Sequence, residues 1–211
     1  MTTSATTRKP IIGVAGGIGA GKSFVAKFFE ELGGLVLSAD VHAREAYGRD
    51  DVKQMLRKWW GGDVFTSAGT VDRAKIAQRV FVEPDQRLRL EKLIHPLVIQ
   101  RRNELMSQHA NDPKVTAFIW DVPLLFETGS NQRCDAVLFV DAPEAERQRR
   151  VQTQRGWDLG EMLRREKAQW PLDKKREMSD YVISNAADAD AVRNQVRDVF
   201  SRIVQESSKP S

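Results

Sequence analysis

Cysteine is almost missing from this chain: Cys134 is the single one in 211 residues. No internal disulfide can form, and nothing near Cys134 suggests an activated thiol. Long apolar runs are missing as well. No stretch of about eighteen apolar residues occurs, which excludes a membrane-spanning helix. Residues 1–9 are polar and threonine-rich and lack the apolar centre of a secretory leader, so export is not expected. There is no internal repeat and no low-complexity core. The tails, residues 1–9 and about 205–211, are rich in Thr, Ser, Pro and Lys and are expected to fray. These absences predict a soluble, cytoplasmic protein.

What is present suits one domain with a smaller lobe inserted in it. The apolar fraction is 41%, enough for a sizeable core, and the 29% of charged residues must lie on the surface or in a site. The net charge is +4. A basic chain can bind nucleic acid or gather arginines around a phosphorylated small molecule. Here the arginines concentrate at 148–155 and 164–165 rather than along a stripe, which favours a local polyanion site. The tryptophans at 59, 60, 120, 157 and 170 read as packing.

Short, nearly continuous apolar runs at 10–15, 35–38, 115–121, 136–140 and 181–184 have the pattern of parallel strands covered on both faces. Helical patterns at 21–32, 143–155 and 187–204 separate them, the first ended by Gly33-Gly34. Such alternation predicts a three-layer α/β sheet. Residues 40–111 break it. That interval shows helices but no convincing strand, with Leu90, Leu93, Ile94, Leu97, Val98 and Leu105 on one helical face. It reads as a helical insertion between the second and third strands.

The strongest motif is Gly16-Gly17-Ile18-Gly19-Ala20-Gly21-Lys22-Ser23, a complete G-x-x-x-x-G-K-[ST] between a strand and an amphipathic helix. Glycines let the backbone turn tightly and bring its N–H groups close to phosphate oxygens. The helix opening at Gly21 adds unpaired N–H groups and a positive dipole end. Lys22 would reach the β- and γ-phosphates, and the Ser23 hydroxyl would ligate Mg²⁺. Gly17, Ile18, Gly19, Ala20, Gly21, Lys22, Ser23 and Phe24 are thus the expected ATP-binding stretch. A switch GTPase should carry Asn-Lys-x-Asp after a later strand. Its nearest match, Ser184-Asn185-Ala186-Ala187, lacks the lysine and the acid, so a kinase is favoured.

Four further features admit two readings each. Asp40 stands just after the second strand, at the carboxyl edge where α/β folds bind ligands. If that strand neighbours the phosphate-loop strand, Asp40 faces the γ-phosphate and can accept a hydroxyl proton. Its other reading is an N-cap of the following helix, with Arg44 as its surface ion-pair partner one turn on. Asp121 ends the run Phe118-Ile119-Trp120 as a Walker B acid for Mg²⁺, or as a strand-end turn residue. Pro96 should break the helical pattern, leaving His95 either at a new helix N-terminus, where anions bind, or packed at a kink. Arg147, Arg149, Arg150 and Arg155 form either a lid over the phosphoryl group or a solvated basic face.

Together these segments resemble the dephospho-CoA kinase family. The resemblance rests on G-G-I-G-x-G-K-S at 16–23, D-A-D-x-x-A-R as Ser38-Ala39-Asp40-Val41-His42-Ala43-Arg44, and G-x-x-D-R at 69–73 ahead of Val80-Phe81. L-x-x-x-x-H-P at 90–96, P-L-L-F-E at 123–127 and D-Y-V-I-x-N at 180–185 complete it, in the family's order. The resemblance implies ATP-dependent phosphorylation of the ribose 3′-hydroxyl of dephospho-CoA, the last step of coenzyme A synthesis, with Mg²⁺. It implies a five-stranded parallel sheet of the nucleoside-monophosphate-kinase type, with a helical substrate-binding insertion and a helical lid. Residues 10–39, 112–148 and 178–204 would be the nucleotide core, 40–111 the CoA-binding lobe and 149–177 the lid. Asp40 would be the general base, Lys22 and the lid arginines would stabilise the phosphoryl group, and Arg44, His95, Pro123 and Leu124 would line the acceptor pocket. The expected partners are dephospho-CoA and ATP, with no nucleic acid and no membrane, in a monomer or weak homo-oligomer. Two departures stand out: Ser38 replaces the family's first acid, and Gly156-Trp157 looks inserted in the lid.

Overall fold

The computed structural model describes residues 8–186 and 188–207. In chain order the elements are β1 (Ile11–Gly16), α1 (Lys22–Glu31), β2 (Gly34–Ser38), α2 (Ala39–Gly48), α3 (Asp50–Trp60), α4 (Arg73–Val82) and α5 (Pro84–Gln108). They continue with β3 (Ala117–Asp121), β4 (Ala136–Asp141), α6 (Glu144–Arg155), α7 (Leu159–Lys167), α8 (Leu172–Glu177), β5 (Tyr181–Ser184) and α9 (Ala189–Ser207). The chain divides into two compact units, one made of the stretches up to Ser38 and from Gln108 on, the other of Ala39–Ser107.

The first unit is a five-stranded sheet in the order β2-β3-β1-β4-β5, parallel throughout. Side chains alternate between the faces of each strand, so one strand feeds two cores. Ile12 and Val14 of β1 and Leu138 and Val140 of β4 face a cluster closed by Val25, Phe28 and Phe29 of α1 and Val196, Phe200 and Ile203 of α9. Ala15, Val137 and Phe139 point the other way, onto Leu125, Phe126, Trp170 and Leu172. Burial on both faces explains why the strands read as unbroken apolar runs.

β3 lies between β2 and β1. The second strand therefore does not neighbour the phosphate-loop strand, and the condition attached to Asp40 in the sequence reading is not met. Strand order in a parallel sheet is fixed by long crossovers, which no local pattern encodes. The register does set Ser38 beside Asp121, so the ends of β2 and β3 lie level, while Asp121 pairs with Val14, two residues before the end of β1.

The second unit is helical. α2 to α5 bury Ala46, Val52, Leu56, Trp60, Ile76, Leu90 and Ile94 in one cluster, with Val64 and Phe65 between α3 and α4. Asp72 caps α4 by accepting from the N–H groups of Ala74 and Lys75 at 3.1 and 3.2 Å. α5 runs unbroken through Pro96, against the expected interruption. Proline costs one helix hydrogen bond, yet Leu90, Leu93 and Ile94 before it and Leu97 and Val98 after it belong to the same cluster. One continuous apolar stripe holds the helix through the defect.

The tail expectation falls largely outside the described residues, and within them Lys9 and residues 205–207 depart from it. Residues 1–7, 187 and 208–211 lie outside the described residues. Lys9 is tied down, its Nζ donating to the carbonyls of His109 (2.7 Å) and Asp112 (2.5 Å), and α9 continues to Ser207. Among the described residues no helix is long and apolar enough to cross a membrane.

His42 is an exception in the helical unit. Its side chain is 5% exposed, neither ring nitrogen has a hydrogen-bond partner among the described residues, and Glu45 stands 3.6 Å from Nδ1. Burial lowers its pKa from the ordinary 6.5, the Glu45 carboxylate opposes this, and the Arg101 and Arg102 charges add to the lowering. A base whose folded pKa is depressed contributes stability above its unfolded value and loses it as pH falls. Acidification below about 6.5 should therefore destabilise the wild type more than His42→Leu. Melting curves at pH 7 and pH 5 check this; parallel losses in the two proteins would remove His42 as the cause.

Candidate active site

The phosphate loop is set by backbone first. β1 ends at Gly16, residues 17–20 turn, and Gly21 is the N-cap of α1 in a left-handed conformation with φ 88°. Gly19 is likewise at φ 75°, a region that non-glycine residues rarely enter. A Cβ on Gly19 would stand 2.4 Å from the carbonyl oxygen of Arg147, and one on Gly21 would stand 2.3 Å from Nδ2 of Asn185. Conformation and contact both demand glycine there.

Lys22 folds back over the loop, its Nζ 3.1 Å from the carbonyl oxygens of Gly16 and Gly17. Ser23 Oγ donates to Asp121 Oδ2 at 3.1 Å. The hydroxyl in the first turn of α1 and the strand-end acid, far apart in sequence, thus form one hydroxyl–carboxylate pair at the mouth of the loop. Of the expected ATP-binding residues, two spend their N–H groups inside the turn: Ala20 donates to Gly17 at 3.2 Å and Phe24 to Gly21 at 3.0 Å. The Phe24 ring lies at the surface, edge-on to Phe28 at 4.9 Å.

The four arginines of α6 separate into two pairs. Arg147 is buried; its Nη1 donates to the carbonyl of Ile18 at 3.2 Å, and it forms an ion pair with Glu166 of α7. Arg150 reaches the loop as well, Nη1 donating to Ala20 at 3.2 Å and Nη2 to the carbonyl of Asn185 at 3.0 Å. Arg149 does not: it is exposed and paired with Glu146 at 2.8 Å. Arg155 is also turned away, lying over the Trp157 ring 5.0 Å from its centre. Ile18, Val151 and Met162 form a small core with Trp157 against it, packing α6 and α7 onto the loop. A cavity of about 200 Å³ opens beside it, lined by Gly17, residues 139–142, Arg147 and Leu172.

Pro123 and Leu124 sit in the turn after β3, Pro123 exposed and Leu124 half-buried. Leu125 and Phe126 anchor this turn in the core, with Trp170 stacked on Phe126 at 5.9 Å. Glu127 Oε1 accepts from Lys175 Nζ at 2.7 Å and from the Trp170 N–H at 2.8 Å. Burial pushes the Glu127 carboxyl up, but these donors outweigh it and leave it below the ordinary 4.5. The Lys175 side chain is 2% exposed. Lys175, Glu166 and the side chain of Asn185 were not singled out from the sequence, because a charge or amide partnered across the fold has no local signature.

In the helical unit, Asp40 lies in the first turn of α2 rather than at its cap, since the helix begins at Ala39. Arg44 follows one turn later on the same face; both are exposed, and no ion pair joins them among the described residues. His95 is exposed within α5, not at a helix N-terminus, because α5 continues through Pro96.

A protein-family model described as dephospho-CoA kinase matches residues 10–191. A dephospho-CoA kinase of Syntrophotalea carbinolica is 35% identical over 199 residues, covering 92% of this chain and 92% of its own. One from Synechococcus sp. is also 35% identical, covering 90% and 91%. Among solved structures, a Thermus thermophilus protein superposes with a TM-score of 0.78 at 32% identity, over 92% of this chain and 98% of the other. A shikimate kinase of Acinetobacter baumannii, at 16% identity and a TM-score of 0.52 over 99% and 100%, shares the fold.

Proposed function

The chain belongs to the dephospho-CoA kinase family, whose members complete coenzyme A by ATP-dependent phosphorylation of an alcohol, and we propose that Asp40 is the base and Lys22 the main cation of that transfer. The ribose 3′-hydroxyl of dephospho-CoA gives its proton to the Asp40 carboxylate as its oxygen attacks the γ-phosphorus. The bond from that phosphorus to the bridging oxygen breaks, and ADP leaves with the electron pair. No phosphoenzyme forms. Lys22 meets the charge that develops on the phosphoryl oxygens. Loop N–H groups and the start of α1 hold the nucleotide's phosphates.

Ser23 and Asp121 supply a hydroxyl and a carboxylate 3.1 Å apart. Oxygen donors of this kind, few in number, suit Mg²⁺, which keeps several waters and shares phosphate oxygens. When bound, the ion would neutralise charge between the β- and γ-phosphates. Residues 40–111 serve as the CoA-binding lobe, with Arg44 and His95 as acceptor-binding residues, and residues 149–177 serve as the lid. Pro123 and Leu124 belong to the acceptor wall. The protein works in the cytoplasm on two small molecules.

The observation that supports this reading most is the Ser23–Asp121 pair beside a glycine loop whose conformation admits no side chain at two positions. Shikimate kinase shares the fold, so the acceptor is what must be tested. ADP release from Mg-ATP should depend on dephospho-CoA and stay at background with shikimate or adenylate. Turnover with either of those and none with dephospho-CoA would sink the assignment.

A further inference from the structure

Glycine makes the phosphate loop possible but leaves it undirected. Gly19 and Gly21 rotate more freely than any other residue, so the peptide units Ile18–Gly19 and Ala20–Gly21 can turn over at little cost. Whether their N–H groups face a phosphate has to be decided from outside the loop.

Three side chains hold the two carbonyls. Arg147 Nη1 donates to Ile18 O at 3.2 Å. Ala20 O accepts from Asn185 Nδ2 at 2.7 Å and from Arg150 Nη1 at 3.2 Å. Arg150 Nη2 in turn holds the Asn185 carbonyl at 3.0 Å. Asn185 and Arg147 are 3% and 6% exposed, so these are interior contacts shielded from water. All peptides among the described residues are trans, and in a trans peptide the C=O and N–H point in opposite directions. Fixing Ile18 O and Ala20 O therefore fixes the Gly19 and Gly21 N–H groups on the opposite side. Neither N–H donates to any acceptor among the described residues, so both donors are unspent. Arg147 already has Glu166 as counter-ion. What it contributes at the loop is direction rather than free charge.

We propose that Asn185, Arg150 and Arg147 are positioning residues for phosphoryl transfer, orienting the Gly19 and Gly21 N–H groups towards the phosphates of the nucleotide by holding the preceding carbonyls. The inference rests on the phosphate loop being the ATP site. It adds that the loop is set by a turn 165 residues away and by α6, and that this preorganisation precedes nucleotide binding.

The test is calorimetric titration of ADP, without acceptor, into wild type, Asn185→Ala, Arg147→Met and Arg147→Lys. Each of the first two should weaken ADP by about tenfold, the scale of one misdirected charge-assisted hydrogen bond. Arg147→Lys keeps a donor and should stay within about threefold. The KM for ATP should rise in step, while the KM for dephospho-CoA holds. Unchanged ADP affinity in both variants overturns the proposal. So does a parallel rise of both KM values, which marks a general structural role. If Asn185→Ala does not fold, Arg147→Met decides, because it acts on the other peptide. Wild type that binds no ADP would overturn the nucleotide site and this proposal together, whereas ADP binding with no turnover on dephospho-CoA would fault only the acceptor.

Discussion

Asp40→Asn should lower turnover with dephospho-CoA by about 100-fold or more, the cost of a lost general base, and leave ADP affinity within about twofold. Asparagine matches aspartate in size, so packing around α2 is undisturbed. What it lacks is a basic oxygen for the hydroxyl proton. Asp40 is exposed, in the first turn of α2, with no hydrogen bond or ion pair among the described residues. A carboxylate with no hydrogen bond or ion pair to lose makes the variant a clean probe: the melting temperature should fall by no more than about 3 °C, the scale of one charge at a helix N-terminus. Coupled ADP release gives the rate and calorimetry gives the affinity. A variant within about threefold of wild-type turnover would show that proton transfer needs no help from Asp40, and would leave Asp40 as a favourable charge at a helix N-terminus.

The second large effect is on stability. Glu127→Gln should destabilise the protein by about 3–5 kcal/mol, the usual cost of stranding one member of a buried ion pair. The Lys175 side chain is 2% exposed and lies 2.7 Å from Glu127; glutamine leaves that ammonium without its counter-charge, supported among the described residues by Gln169 at 2.9 Å. For a chain of this size such a loss lowers the melting temperature by about 10 °C. The pH dependence follows from the depressed Glu127 carboxyl. Its contribution is complete above the ordinary carboxylate value of 4.5 and is lost as pH falls below it. The gap between wild type and Glu127→Gln should therefore be full at pH 7 and narrow in acid. Identical melting at pH 7 would mean that Lys175 finds another partner and that the turn after β3 does not depend on the pair.

The phosphate loop was legible because all its parts lie within eight consecutive residues, and turn, charge and helix start each have a local physical signature. The strands were legible because a parallel strand buried on both faces cannot avoid an apolar run. What failed was whatever depended on partners across the fold. Pro96 has a local tendency to end a helix, and the apolar stripe on both sides of it overrides that tendency through packing. The arginine cluster was treated as one group, although helical spacing separates it: Arg147 and Arg150 share a face with Val151, while Arg149 shares one with Glu146. That apolar neighbour was the signal for the inward face. Strand order, and with it the neighbourhood of β2, was not in any single segment. Nor was Asn185, which closes a recognised motif but gives no local hint that its amide reaches Ala20.

The Ala20–Asn185 contact also bears on biogenesis. Its two ends are 165 residues apart, and ribosomes add about 5–20 residues per second. Roughly 8–30 s then separate synthesis of the glycine loop from synthesis of the residue that pins it. A nascent chain can emerge with its nucleotide motif complete and still lack the means to hold ATP firmly. On the role proposed for Asn185, nucleotide is held about tenfold more loosely until the turn after the fifth strand arrives, so full affinity reports that nearly the whole sheet has assembled.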